Sequence, residues 1–123
     1  MSDKSFQVRV RRTLEDGHSA IVELNGFLDA HTVGDFESQM KTCLAGGASR
    51  IVLDLERLTY VSSAGIGAMM SLTQRLRREA GDVALLRPSP KVFKILELLG
   101  FTEIFKIAAS EDEALKSVTA ERA

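Results

Sequence analysis

Hydrophobic and polar residues alternate along this chain with two different periods. From Phe6 to Arg12, Phe6, Val8 and Val10 alternate with Gln7, Arg9 and Arg11. That two-residue period predicts a half-buried strand at a sheet edge or face. Glu15-Asp16-Gly17-His18 carries the Asp-Gly pair of a hairpin turn. Ala20 to Leu24 reads as the returning strand, broken at Gly26. Residues 51–55, Ile-Val-Leu-Asp-Leu, form a nearly continuous apolar run, as in a central strand covered on both faces of a parallel sheet. Val83 to Leu86 predicts a further short strand, and Phe101 to Ile107 a last one.

Between these runs the apolar spacing lengthens to three and four, the period of a helix. Val33, Phe36, Met40 and Leu44 make one stripe, with Asp29 as its cap and Gly46-Gly47 as its end. Ile66, Met69, Met70, Thr73 and Leu76 make a second, closed by Gly81. Arg75, Arg77 and Arg78 sit in its last turns, where cations complement the helix dipole. Ser89-Pro90 opens a third helix, with proline at the first helical position. It runs from Lys91 to Leu99 and is capped by Gly100. Val92, Phe93, Ile95, Leu96, Leu98 and Leu99 are more apolar residues than one core face requires. The helix either lies wedged between neighbours or lends part of its surface to a docking patch with Ile66 and Phe27. Ser110 with Glu113 forms a capping box for a terminal helix bearing Leu115 and Val118. A hairpin followed by alternating strands and helices predicts an α/β layer with a mixed sheet.

The stretch from Arg50 to Arg78 organises the rest. It is a buried strand, a tight turn carrying Ser62 and Ser63, and a helix that starts on top of them. Ala64, Gly65, Gly67 and Ala68 are small, so backbones can approach closely at the helix start. Ser62 or Ser63 is the natural N-cap. A serine there is exposed at the end of a rigid strand and at the positive end of a helix dipole. This suits chemistry that leaves negative charge on the serine oxygen.

Composition narrows the function. A chain of 123 residues has the size of one domain, expected to span 1–123. Its net charge of −1 gives no overall field toward nucleic acid or acidic lipid. Arg75, Arg77 and Arg78 lack aromatic interleaving and read as a solvated helix end. The single Cys43 cannot form an internal disulfide, which favours a reducing compartment. No apolar run approaches the roughly 18 residues of a membrane span, and Met1-Ser2-Asp3-Lys4 does not open a signal peptide. A cytoplasmic protein of bacterial style is expected. Met69 and Met70 read as core. Asp29 and Asp54 read as a cap and a strand-end charge, His18 and His31 as solvated; no metal-ligand spacing appears. Gly65-Ile66-Gly67 lacks the third glycine of a dinucleotide fingerprint. Strand–Ser–helix also describes a hydrolase nucleophile elbow. Here Tyr60 or Val61 stands in the leading glycine's place and no histidine follows Ser63, so His18 or His31 would have to come across the sheet. A binding protein with no catalysis and no cofactor is expected.

Three segments, in order, carry a family resemblance. The strongest is Ile51-Val52-Leu53-Asp54-Leu55 with Leu58-Thr59-Tyr60-Val61-Ser62-Ser63-Ala64-Gly65-Ile66-Gly67. The others are Gly26-Phe27-Leu28-Asp29 and Val92-Phe93-Lys94-Ile95-Leu96-Glu97-Leu98-Leu99-Gly100-Phe101. Together they resemble the sulfate-transporter and anti-sigma-antagonist (STAS) domain, in its single-domain anti-sigma factor antagonist form, from about Val8 to Val118. The resemblance implies a mixed sheet of four to five strands, with about four helices packed mainly on one face. It also implies partner switching. The unphosphorylated antagonist binds an anti-sigma factor that is a serine kinase of the GHKL ATPase type and frees the sigma factor. The kinase then phosphorylates the antagonist, which lets go, and a serine phosphatase resets it. By motif position the modified residue is Ser63, with Ser62 as the alternative; the plainer reading, less favoured by the resemblance, is that both serines are only caps. The implied partner-binding residues are Phe27, Ser62, Ser63, Ala64, Gly65 and Ile66. One position departs from the family: many members have aspartate where this chain has Ser62. A monomer or weak dimer is expected. The alternative function is a STAS binding module of another signalling or lipid-transport complex.

Overall fold

The computed structural model describes residues 6–13 and 16–119. Glu15 of the expected turn and the first five residues lie outside them. The elements run β1 (Phe6–Thr13), β2 (Ser19–Leu28), α1 (Val33–Ala45), β3 (Arg50–Asp54), β4 (Leu58–Val61), α2 (Ser63–Arg78), β5 (Asp82–Leu86), α3 (Pro90–Leu98), a 3-10 turn (Phe101–Glu103), β6 (Lys106–Ala108) and α4 (Glu111–Thr119). One mixed sheet joins all six strands in the order β1-β2-β3-β5-β6, with β4 paired to β2.

β2 is the strand on which the sheet is assembled. Its antiparallel partner β1 lies along one edge, with a bulge between Val10 and Arg12. On the other edge its first half pairs in parallel with β3. Its second half, from Gly26 to Leu28, pairs in parallel with β4. β3 thus leaves the edge of β2 at Asp54, and the chain turns through residues 55–57 and returns to the same edge as β4. The apolar pattern does not separate β4 from the turn after β3, and with β4 the sheet has six strands, one more than the four to five expected. Nor is the returning strand broken at Gly26, where the pattern predicts its end. The strand instead passes through Gly26 at φ 93°, where the β2–β4 register slips between Gly26 and Phe27.

The faces of the sheet differ. Ala20, Val22, Leu24, Ile51, Leu53, Val83 and Leu85 point to one side, where they meet Phe36 and Met40 of α1, Ile66, Met69 and Leu76 of α2, and Val92 and Leu96 of α3. Ile21, Val52, Ala84 and Leu86 point to the other and meet Ala114 and Val118 of α4, with Leu115 packed against them. Three helices therefore cover one face and one covers the other. β3 is buried on both faces, as its continuous apolar run requires.

Two boundaries fall elsewhere than the spacing suggested. Phe101 to Ile107 is not one strand: residues 101–103 wind into the 3-10 turn, bringing Phe101 and Phe105 together with ring centroids 6.1 Å apart, and only Lys106–Ala108 pairs with β5. Asp29 does not cap α1 directly. Its carboxylate accepts from the amides of His31 and Thr32, and its carbonyl accepts from Val33 at 2.8 Å. The residue before the helix is Thr32, whose hydroxyl donates back to the carbonyl of Phe27 at 2.8 Å.

Candidate functional site

The strand end, the turn and the helix start form one hydrogen-bonded unit. β4 delivers Ser62 to the end of β2, where the Ser62 amide donates to the carbonyl of Leu28 at 2.9 Å. Ser62 remains extended (φ −91°, ψ 174°), and its Oγ accepts from the amide of Gly65 at 3.3 Å. Its carbonyl accepts the first helical bond, from Ile66 at 2.9 Å. Ser62 is thus the N-cap, and it satisfies one of the four amides that a helix leaves unpaired. Ser63 is the first residue of α2 and is exposed. Its hydroxyl bonds no side chain or backbone group among the described residues. The first turn of α2 holds no acidic residue, so the positive end of this 16-residue helix is uncompensated within that turn.

Gly65 is what lets the helix start this close. A Cβ there would stand 2.7 Å from the Leu28 carbonyl oxygen and 2.9 Å from a Val61 methyl. Gly67 differs from the sequence expectation: a Cβ there would meet nothing within 4 Å. It is exposed and, with Ser63, Ile66, Met70, Leu99 and Phe101, lines a shallow apolar groove of about 150 Å³ beside the serine.

On the strand side of the turn lie two aromatic rings. Phe27 and Tyr60, register partners on β2 and β4, meet edge to face with centroids 6.3 Å apart and planes at 80°. They keep 47% and 38% of their surfaces exposed. The Lys91 ammonium stands 5.8 Å from the Tyr60 ring centroid. Ser89 caps α3, accepting from the Val92 amide, and its hydroxyl donates to the Leu58 carbonyl at 2.8 Å, tying α3 to β4.

The residues singled out in the sequence thus separate by exposure. Phe27, Ser63 and Ala64 face solvent, and Ser62 is half-buried. Gly65 and Ile66 are buried beneath them. Ile66 is 2% exposed and belongs to the main core, so it floors the groove instead of projecting from the surface. In α3 and its C-cap Leu99, Val92 and Leu96 are buried, Ile95 is half-buried, and Phe93, Leu98 and Leu99 are exposed. The surplus of apolar residues is therefore largely a surface feature. No local pattern in the sequence marks Tyr60 or Lys91 as part of this face. An unbroken register from Gly26–Leu58 would set Thr59 opposite Phe27; the slip sets Tyr60 there instead, and both Thr59 and Tyr60 are exposed.

No Ser–His pair of a nucleophile elbow is formed among the described residues. His18 precedes β2 at the end opposite Ser63, where its ring contacts the Gly47 carbonyl oxygen. The ten residues of β2 separate the two ends by about 30 Å at the rise of a strand. No hydrogen bond among the described residues joins Ser63 to His31. No helix among the described residues is long and apolar enough to cross a membrane.

Comparison with known proteins agrees with this geometry. The chain is 33% identical over 91 residues to BtrV of Bordetella bronchiseptica, a protein named as a candidate anti-sigma factor antagonist, covering 74% of this chain and 78% of that one. It is 30% identical over 96 residues to the anti-sigma F factor antagonist of Paenibacillus polymyxa, covering 77% and 82%. Among solved structures, the anti-sigma factor antagonist SpoIIAA in its unphosphorylated form superposes with a TM-score of 0.73 at 28% identity, over 96% of this chain and 99% of that one. SpoIIAA in its phosphorylated form gives 0.65 at 27%, over 91% and 97%. The STAS domain model matches residues 7–114, and the chain belongs to the STAS domain family.

Proposed function

We propose that this chain is an anti-sigma factor antagonist of a partner-switching circuit, regulated by phosphorylation of Ser63. The carrying observation is the exposed Ser63 hydroxyl, without a partner among the described residues, on a turn held by the capping bond of Ser62. Support comes from relatives named as anti-sigma factor antagonists and from likeness to SpoIIAA, solved with and without phosphate. The direct partner is an anti-sigma factor that is also a serine kinase of the GHKL ATPase type. A serine phosphatase resets the cycle in the cytoplasm. Ser63 supplies only the nucleophile. Its Oγ attacks the γ-phosphorus of ATP, its proton passes to a base of the kinase and ADP leaves. The phosphate then adds about 1.5–2 negative charges at a helix N-terminus, which receives an anion well. The fold therefore holds while the interface is broken by bulk and by the desolvation of the new charge. The exposed face around Ser63, with Phe27, Ala64 and the half-buried Ser62, supplies contact; Gly65 and Ile66 support it from beneath.

The test is capture of partners on immobilised wild-type, Ser63→Ala and Ser63→Asp chains, with phosphosite mapping after incubation with ATP. Wild type and Ser63→Ala retain an ATP-dependent serine kinase, Ser63→Asp does not, and phosphate maps to Ser63. Full labelling of Ser63→Ala, including at Ser62, overturns the assignment.

A further inference from the structure

The ends of β2 and β4 carry two aromatic rings that the core does not use. Phe27 and Tyr60 belong to neither apolar cluster, yet they are held firmly. The Phe27 carbonyl accepts from Thr32 Oγ1 at 2.8 Å. The Gly26 carbonyl accepts from Thr59 Oγ1 at 3.1 Å, and the Gly26 amide donates to the Arg57 carbonyl at 3.1 Å. A single exposed ring is ordinary on a protein surface. An ordered edge-to-face pair offers contact area whose conformational entropy is already low, which favours binding.

Lys91 adds a second, independent observation. It is the second residue of α3, and the first turn of that helix contains no acidic residue. A cation at a helix N-terminus opposes the dipole, so Lys91 does not serve its own helix. Among the described residues it has no carboxylate partner, only the Tyr60 ring. The ring pair and its cation are continuous with the phosphorylation turn. Leu28, next to Phe27, accepts the Ser62 amide, and Tyr60 lies two residues before Ser62.

We propose that Phe27, Tyr60 and Lys91 form the specificity platform on which the Ser63 kinase docks. The kinase lays an aliphatic or aromatic side chain against the two rings and sets a carboxylate at Lys91. This rests on the reading of Ser63 as a kinase substrate and adds how the kinase is chosen. A partner that set a charge against the two rings, away from Lys91, would have to desolvate it without compensation, so the platform also rejects kinases whose charge does not fall at Lys91.

The experiment uses the kinase retained on immobilised Ser63→Ala chain. It measures steady-state phosphorylation of wild type, Phe27→Ala, Lys91→Ala, Lys91→Glu and Ser63→Ala. Phe27→Ala raises KM about tenfold or more, with kcat within about twofold, because an anchor ring acts in binding. Lys91→Ala raises KM about threefold and Lys91→Glu further, through loss and then reversal of charge. Thermal melts of the variants stay close to wild type, since the three side chains are exposed. Lys91→Glu serves as the second probe should Phe27→Ala melt early. If phosphate maps to Ser63 while Phe27→Ala and Lys91→Glu keep the wild-type KM, the platform is overturned and the function in partner switching stands. If no kinase is retained, or Ser63→Ala is still fully labelled, the function is overturned and the platform with it.

Discussion

The Ser62 amide donates to the Leu28 carbonyl at 2.9 Å, and this bond makes the start of α2 an extension of the sheet. On one side of it Phe27 is fixed by Thr32, and on the other the Ser62 hydroxyl holds the Gly65 amide. The exposed serine between them is presented in one geometry. Under the proposed function, a kinase meeting it need not order a loop first, and that saves the entropy of fixing several backbone dihedrals.

Charge at Ser63 should not unfold the domain. The first turn of α2 has no acidic residue, and an anion there is worth about 0.3–1 kcal/mol of favourable interaction with the helix dipole. Ser63→Asp is expected to melt about 1–5 °C above Ser63→Ala at low ionic strength, with the gap shrinking in salt. Differential scanning calorimetry of both variants checks this. A melting point for Ser63→Asp several degrees below Ser63→Ala would show that negative charge acts by loosening the fold.

The two serines should separate experimentally. Ser62→Ala removes the acceptor of the Gly65 amide and should cost about 1 kcal/mol in urea unfolding. Ser62→Asp restores a capping oxygen and should recover most of that loss. Ser63→Ala removes no bond among the described residues and should leave the urea midpoint nearly unchanged. Equal losses for Ser62→Ala and Ser63→Ala would contradict the assignment of Ser62 as the cap.

The glycines near α2 should differ from one another in a fixed order. Gly81→Ala would place a Cβ 1.9 Å from the Ser49 carbonyl oxygen, so strands or helix must shift, at about 3 kcal/mol or more. Gly65→Ala meets the Leu28 carbonyl oxygen at 2.7 Å and should cost about 1–3 kcal/mol, lifting the helix start away from β2. Gly67→Ala meets open space and should stabilise the exposed helix by about 0.5–1 kcal/mol. Denaturant unfolding of the three variants gives the order directly. Comparable destabilisation by Gly67→Ala and Gly65→Ala would mean that the close approach at Gly65 does not set its identity.

Where one local signal decided an element, the sequence displayed it. The apolar run of β3, the Ser-Pro start of α3 and the stripe of α2 all stand as their spacing indicates. So does the Ser110 hydroxyl accepting from the Glu113 amide at the start of α4, although the Glu113 carboxylate reaches back to Ala109 and not to Ser110. What escaped was set by contacts distant in the chain. β4 is a strand because the end of β2 extends past β3 and offers a free edge. Gly81 looked like the residue that closes α2. In the structure the left-handed residue is Ala80, at φ 64°, and Gly81 is required by the Ser49 backbone, which no neighbouring residue announces. The same holds for the site. The Ser62 cap and the exposed Ser63 follow from local rules, whereas the aromatic pair depends on a register slip between two strands.

A last prediction concerns Asp82, which joins three elements. Its carboxylate, 3% exposed, accepts from Arg77 Nε at 2.9 Å in α2, from Lys106 Nζ at 2.7 Å in β6 and from the Val83 amide at 2.8 Å. Burial alone would raise its pKa, but the bonds from Lys106, Arg77 and Val83 outweigh burial and hold it below the ordinary carboxylate value. A carboxyl whose folded pKa is depressed contributes stability above its unfolded pKa of about 4. That contribution is lost as the pH falls through the folded value. Asp82→Asn is therefore expected to cost about 2 kcal/mol at neutral pH, as charged hydrogen bonds become neutral ones. Arg77 and Lys106 are partly exposed and can rehydrate, which keeps the loss below that of a fully buried broken pair. As the pH falls below about 4, wild type should lose stability more steeply than the variant, and the two curves should approach each other. Guanidinium unfolding of both proteins from neutral to acidic pH measures the gap. A gap that stays constant across the acid range would show that Asp82 stabilises through shape and not through its charge.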